Sequence, residues 1–196
     1  MITPQNYSKM TEQLERNQRY FLKLRDFEDL SIDRFSESDI NDNYLSWLNN
    51  PYHMQFSDQQ LKVHTVETTK DYINSFENTA NLFLKILDKS GVMVGTLTVY
   101  IDIIKDVHSC GILIDSNLVG KGYGKRAWTV LTHQVCPSLG ARKIVAGTLE
   151  SNFAMIKLFE ASGMSFEARL RDEKHYGGKT YDVLIYSRTI PETRNQ

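Results

Sequence analysis

The segment that most narrows what this 196-residue chain can fold into is Leu118–Arg126, LVGKGYGKR, where Gly120, Gly122 and Gly124 alternate beside Lys121, Lys125 and Arg126. An apolar run, Ser109–Ile114, precedes it and reads as a strand. Ala127, Val130, Leu131 and Val135 follow at helical spacing, ended near Pro137 and Gly140. The chain must therefore make a strand, a tight glycine turn and a helix in succession. Such a turn gathers several backbone N–H groups at the positive end of a helix, which suits phosphate oxygens. The spacing excludes the common phosphate motifs. A dinucleotide fingerprint would need glycine at 125 or would enclose Lys125 and Arg126, and a P-loop would need Ser or Thr where Arg126 stands.

Charge supports that reading. The whole chain has 23 Lys+Arg against 24 Asp+Glu, a net charge of −1. Between Asp115 and Glu150, however, there is no acidic residue, while Lys121, Lys125, Arg126, Arg142 and Lys143 make the window +5; the remainder is −1 − 5 = −6. The basic window lacks interleaved exposed aromatics beyond Tyr123 and Trp128, so nucleic acid is not expected as a partner. The longest apolar stretch, Gly91–Ile104, is interrupted by Asp102 and falls short of a membrane span. Residues 1–20 show no secretory pattern, and Cys110 and Cys136 form no CxxC; both point to a reducing cytoplasm.

Along the chain, residues 4–20 suit a polar helix, and Phe21–Phe27 and Leu30–Phe35 short strands. Ser36 with Asp39 predicts a helix start, stopped by Asn49-Asn50-Pro51; Thr65 predicts another. Strands are expected at Leu82–Leu87, Val92–Ile101, Lys143–Leu149, Met164–Asp172 and Lys179–Ser187, with a helix at Asn152–Ser162. The order predicts a mixed α/β layer structure.

Strand GILID, then SNLVGKGYGKRA, KIVAGTLESN and NFAMIKLFEASGM, resembles the acetyl-CoA-binding half of the GNAT N-acetyltransferase superfamily. LSIDRFSESDINDNYLSWLNN and FEARLRDEKHYGGKTYDVLIYSR are similar to the branch related to ribosomal-protein alanine acetyltransferases. Within it, YLSWLNNP is most like members acting on amino sugars. The resemblance implies a mostly antiparallel sheet flanked by helices and splayed at the cofactor site. It covers residues 30–188, leaving an N-terminal extension, 1–29, and a tail, 189–196.

By that resemblance the cofactor diphosphate falls to the amides of Val119, Gly120, Lys121, Gly122, Tyr123, Gly124 and Lys125. Ile112, Leu113 and Ile114 would pair with the pantetheine arm as an added strand does, and Asn152 would contact the arm, although it also suits a helix cap. Phe159 stands where many members carry a tyrosine that protonates the leaving thiolate; it can pack against the thioester but has no proton to give. An alkyl ammonium must lose a proton before it attacks. Where relatives have a strand glutamate this chain has Ser109, so Glu150 and His108 are the candidate bases. His53 and His64 lie in the loop where the family builds its acceptor site, and read otherwise as solvated histidines; His133 reads as an ordinary helix residue. No His, Cys and Asp spacing suggests a metal site. The implied activity is acetyl transfer from acetyl-CoA to a primary amine of a small molecule, a nucleotide-linked amino sugar being the narrower expectation. An N-terminal protein acetyltransferase and a non-catalytic acyl-CoA sensor are the alternatives, with a monomer or homodimer as the assembly.

Overall fold

The computed structural model describes residues 4–21 and 25–191. One eight-stranded sheet organises them: β1 (Arg25–Phe27), β2 (Leu30–Arg34), β3 (Leu82–Asp88), β4 (Met93–Asp102), β5 (Val107–Ile114), β6 (Lys143–Leu149), β7 (Ser165–Tyr176) and β8 (Lys179–Thr189). Their order is β1-β2-β3-β4-β5-β6-β8-β7, antiparallel throughout except at β5/β6, which run parallel. The mixed, mostly antiparallel α/β sheet of the sequence reading is the fold observed. Strand β7 runs past the expected end at Asp172 to Tyr176, and turns on Gly177 and Gly178, both at positive φ. Of the expected strand Phe21–Phe27, residues 22–24 lie outside the described residues, as does most of the tail.

The seven helices among the described residues divide between the faces of the sheet. They are α1 (Pro4–Tyr20), α2 (Asp42–Leu48), α3 (Pro51–Met54), α4 (Val66–Asn74), α5 (Tyr123–Val130), α6 (Cys136–Ser138) and α7 (Phe153–Ala161), with a π-helical stretch, Leu131–Val135, joining α5 to α6. Strand alternation assigns the cores. Leu82, Leu84 and Ile86 of β3, with Leu97 and Val99 of β4, point into the larger core, with Trp128 and Leu131 after the glycine turn and Phe159 of α7. Phe83 points the other way, into a smaller aromatic core with Phe35, Tyr44 and Trp47 of α2, and Ile73 of α4.

One helix boundary differs from the sequence expectation. Ser36 and Asp39 do form a reciprocal capping box, but on a single 3-10 turn, Glu37–Asp39. Asn41 is the cap of α2, its side chain accepting the Tyr44 N–H at 2.9 Å. Lys85 explains why the chain halts: its ammonium lies 2.8 Å from Asp39 and pins that turn to β3. Thr65 caps α4 as expected, in a box with Thr68.

The N-terminal helix docks by polar contacts, which is why its apolar spacing is weak. Gln13 and Asn17 are buried; Gln13 donates to the Leu139 carbonyl and Asn17 to the Ala80 carbonyl, at 3.0 and 2.8 Å. Arg16 also reaches Leu139, over Gly140 at φ +89°, where a Cβ would lie 1.8 Å from the guanidinium.

Candidate active site

The site begins where two strands part. Parallel pairing of β5 with β6 is confined to Val107/Lys143, His108/Ile144 and Ser109/Val145. Beyond those pairs β5 follows β4 to Ile114, and β6 follows β8 to Leu149. The facing edges, 110–114 and 146–149, therefore open a gap in which neither strand pairs with the other. In an antiparallel pair, successive residues turn their polar groups to opposite sides. Because the Asp115 N–H bonds the Val94 carbonyl, Leu113 turns to β4 while Ile112 and Ile114 face the gap. Of the three residues expected to pair with the cofactor arm, Ile112 and Ile114 turn backbone groups to the gap and Leu113 does not. Leu113, with Gly111 and Ile112, lines a cavity on the other face. His53 of α3 already bonds the Ile114 carbonyl through Nε2.

The glycine turn closes one end of this gap. Gly120 and Gly122 both have φ of +83°, a region side chains disfavour, and Gly122 is the N-cap of α5. Lacking a side chain, Gly122 leaves the first-turn amides of Tyr123, Gly124 and Lys125 to an outside acceptor. Val119 and Lys121 spend their N–H groups on turn bonds to Ser116 and Leu118. Arg126 is folded back over the Tyr123 ring and ion-paired to Asp29 at 2.7 Å, so it is committed elsewhere. Edge groups without a partner strand, bare amides and Lys121 and Lys125 fit a ligand with amides along its length and a diphosphate at its end.

Three expected residues sit differently. His108 is 1% exposed and points with Cys110 into the larger core, opposite Ser109 and Gly111. Burial, with the Arg16 charge adding to it, lowers its pKa to about 4, so the imidazole is neutral but out of reach. Glu150 is not among the residues lining the cavity, and its carboxylate is held at 2.7 Å by Arg169. Phe159 is 0% exposed, between Trp128 and Tyr186 with centroids 5.4 and 5.2 Å away; it is a core ring and offers no face to the gap. Asn152 caps α7, accepting the Met155 N–H at 3.2 Å.

On the opposite face of β4 and β5 lies a cavity of about 800 Å³. Its floor is Thr96 and Thr98 of β4 with Gly111 of β5; Tyr44 and Tyr72 wall it from α2 and α4. Gly111 is required there, since a Cβ would lie 2.7 Å from Thr98 Oγ1. Burial raises the phenol pKa of both tyrosines, in Tyr44 against the pull of a hydrogen bond to Thr96. The segment 57–64 forms the roof. Its Asp58 is bonded by Lys174 at 2.6 Å and by the Tyr176 hydroxyl, both from the β7–β8 hairpin. Burial works to raise the Asp58 pKa, but those two partners together hold it below the usual carboxylate range. The sequence reading named no floor or roof residue beyond the two loop histidines; only the register that pairs Thr98 with Gly111 reveals them.

A gap suited to an extended, diphosphate-ended carrier, with a cavity on the other face of the same strand, fits a transferase. The sequence matches the acetyltransferase (GNAT) domain family over residues 29–165, and the chain belongs to that family. By that family it is an acetyltransferase. No curated protein matches the sequence. Among solved structures, RimL, the ribosomal L7/L12 alpha-N-protein acetyltransferase in complex with coenzyme A, superposes with a TM-score of 0.78 at 18% identity, covering 86% of this chain and 98% of that one. Spermidine N-acetyltransferase from Vibrio cholerae, with CoA and spermine, gives 0.76 at 18% identity over 83% and 96%. The microcin C7 self-immunity acetyltransferase MccE, with acetyl-CoA and AMP, gives 0.73 at 18% over 84% and 94%. At such identities these likenesses establish the fold. Among the described residues, no helix is long and apolar enough to cross a membrane, and no group of three His, Cys, Asp or Glu could hold a metal ion.

Proposed function

We propose that the chain acetylates the α-amine of a polypeptide, in the manner of a ribosomal-protein-type N-terminal acetyltransferase. The amine enters the cavity over Thr98 and Gly111, and the acetyl-CoA arm lies along Ile112 and Ile114 with its diphosphate on the amides of Gly120 and Gly122–Lys125. The observation that carries the acceptor class is the charge of the cavity. Asp71 and an Asp58 already paired with Lys174 line it beside one lysine, Lys62, whereas a nucleotide diphosphate would require several free cations. That balance suits an ammonium and counts against the nucleotide-linked amino sugar. Outside, Tyr52 of α3 and Leu61 and Val63 of the roof segment are exposed, an apolar lip for the residues that follow an N-terminus. The likeness to RimL agrees with this reading; the likeness to a spermidine acetyltransferase agrees with its cationic part.

Within the reaction, the chain's task is orientation and proton removal. Thr96 and Thr98 offer hydroxyls to the incoming amine, and the raised phenols of Tyr44 and Tyr72 act as donors rather than bases. A thiol-release assay with acetyl-CoA against N-terminal peptides, polyamines and nucleotide-linked amino sugars tests the proposal. Turnover confined to sugar nucleotides overturns the acceptor assignment.

A further inference from the structure

His64 closes the roof segment, and it is held more firmly than a solvated loop histidine. Its N–H donates to Asn49 Oδ1 at 2.9 Å, and its carbonyl accepts from Asn49 Nδ2 at 2.7 Å. Asn49 is itself the C-cap of α2, its Nδ2 also bonding the Leu45 carbonyl at 3.0 Å. One amide side chain thus grips the His64 backbone on both sides. The ring is fixed as well, with Nε2 3.0 Å from the Gln59 carbonyl oxygen. A carbonyl oxygen can only accept, so Nε2 carries the proton and Nδ1 keeps its lone pair. Among the described residues Nδ1 has no hydrogen-bond partner, and it is not sealed within the protein. His64 lines the same cavity as Thr98, Gly111 and Ile112.

We propose that His64 is the base that deprotonates the acceptor ammonium, through Nδ1, directly or across one water. The proposal rests on amine acetylation as the reaction of this cavity. The ammonium gives one proton to Nδ1, and the freed lone pair forms the new C–N bond with the acetyl carbonyl carbon. As the C–S bond breaks, its electron pair leaves with sulfur, which receives the second nitrogen proton. His64 then releases its proton to solvent. Asn49 acts through His64 and is a positioning residue.

The other titratable groups facing this space are less suited. Asp58 is engaged by Lys174 and Tyr176. Lys62 bears the wrong charge, and burial keeps Tyr44 and Tyr72 protonated. Asp71 lies on the exposed side of α4.

Two measurements test this. The first is the tautomer of His64, read from its ring nitrogen shifts by NMR in the unmodified protein; Nε2–H is expected, and a proton on Nδ1 overturns the proposal without reference to any acceptor. The second is the pH dependence of kcat/KM for whichever amine the unmodified enzyme acetylates. His64→Gln should lower kcat by about 100-fold or more and abolish the acid limb that imidazole gives between about pH 5 and 8. Added imidazole should restore part of the rate to His64→Gly, and Asn49→Ala should show a smaller loss. A His64→Gln enzyme that keeps the parental pH profile and rate overturns the proposal. An unmodified enzyme that acetylates no amine contradicts the function reading instead, while the tautomer still decides whether His64 is poised to accept a proton.

Discussion

Asp58 and Lys174 are 116 residues apart in sequence, yet their side chains meet at 2.6 Å. The pair joins the roof of the acceptor cavity to the β7–β8 hairpin, and Tyr176 reinforces it from the same strand. This contact ties the far edge of the sheet to the cavity that the proposed function assigns to the acceptor. Lys174→Met with Tyr176→Phe should therefore raise the acceptor KM several-fold and leave the acetyl-CoA Kd unchanged. Because the pair is largely exposed, the effect on stability should stay within about 1 kcal/mol. Steady-state kinetics with either substrate varied, beside a melting curve, checks this.

The glycine turn separates into a conformational and a ligand-facing position. Gly122, at φ +83°, resists any side chain, and Gly122→Ala should cost about 1–2 kcal/mol in urea unfolding. Gly124 has no such φ, and a Cβ there meets only Ile114 at an ordinary 3.5 Å. Gly124→Glu should leave the melting temperature close to the parent's while weakening acetyl-CoA at least about tenfold, by setting a like charge against the diphosphate. Calorimetric titration with acetyl-CoA gives the answer; parental affinity would show that the diphosphate lies elsewhere.

His108 predicts a pH-dependent stability rather than a pH-dependent rate. Its folded pKa of about 4 lies below the ordinary histidine value, so the unfolded chain takes up a proton that the folded one refuses. The contribution is fully present above about pH 6.5 and is lost as pH falls toward about 4, a total of about 3 kcal/mol. His108→Leu should flatten the dependence of unfolding free energy over that interval. Equal slopes in the two proteins would contradict the assignment.

Phe159 is a packing residue on this account. Phe159→Ala should cost about 3–5 kcal/mol, and Phe159→Tyr should not raise turnover, since the ring edge is closed off by Trp128 and Tyr186. A rise in kcat with the tyrosine would place this position at the leaving group.

These sites divide by how local their signals are. The strand–turn–helix around Gly122 is carried by neighbouring residues, so its conformation and the following helix were legible in the sequence. The parting of β5 from β6 is not local: Ser109 and Val145 are the last pair because β5 goes on along β4 while β6 goes on along β8. His108 turns away from the cavity for a related reason, whereas Phe159, on α7, is drawn into the core between Trp128 and Tyr186. Adjacent strand residues face opposite layers, and nothing in the sequence tells which layer holds the acceptor. Glu150 illustrates a third limit, since the residue that occupies its carboxylate, Arg169, lies on β7, 19 residues further on and beyond α7. The Asn49–His64 clamp spans only 15 residues, yet a histidine in a polar loop gives no sign that its ring and backbone are both held.

The most direct test offers one peptide carrying both a free α-amine and a lysine side chain, with acetyl-CoA, and locates the acetyl group by tandem mass spectrometry. The account predicts acetyl on the α-amine, released in step with free CoA thiol. Acetyl found only on the lysine side chain, or an unmodified peptide beside an acetylated nucleotide-linked amino sugar, would contradict it.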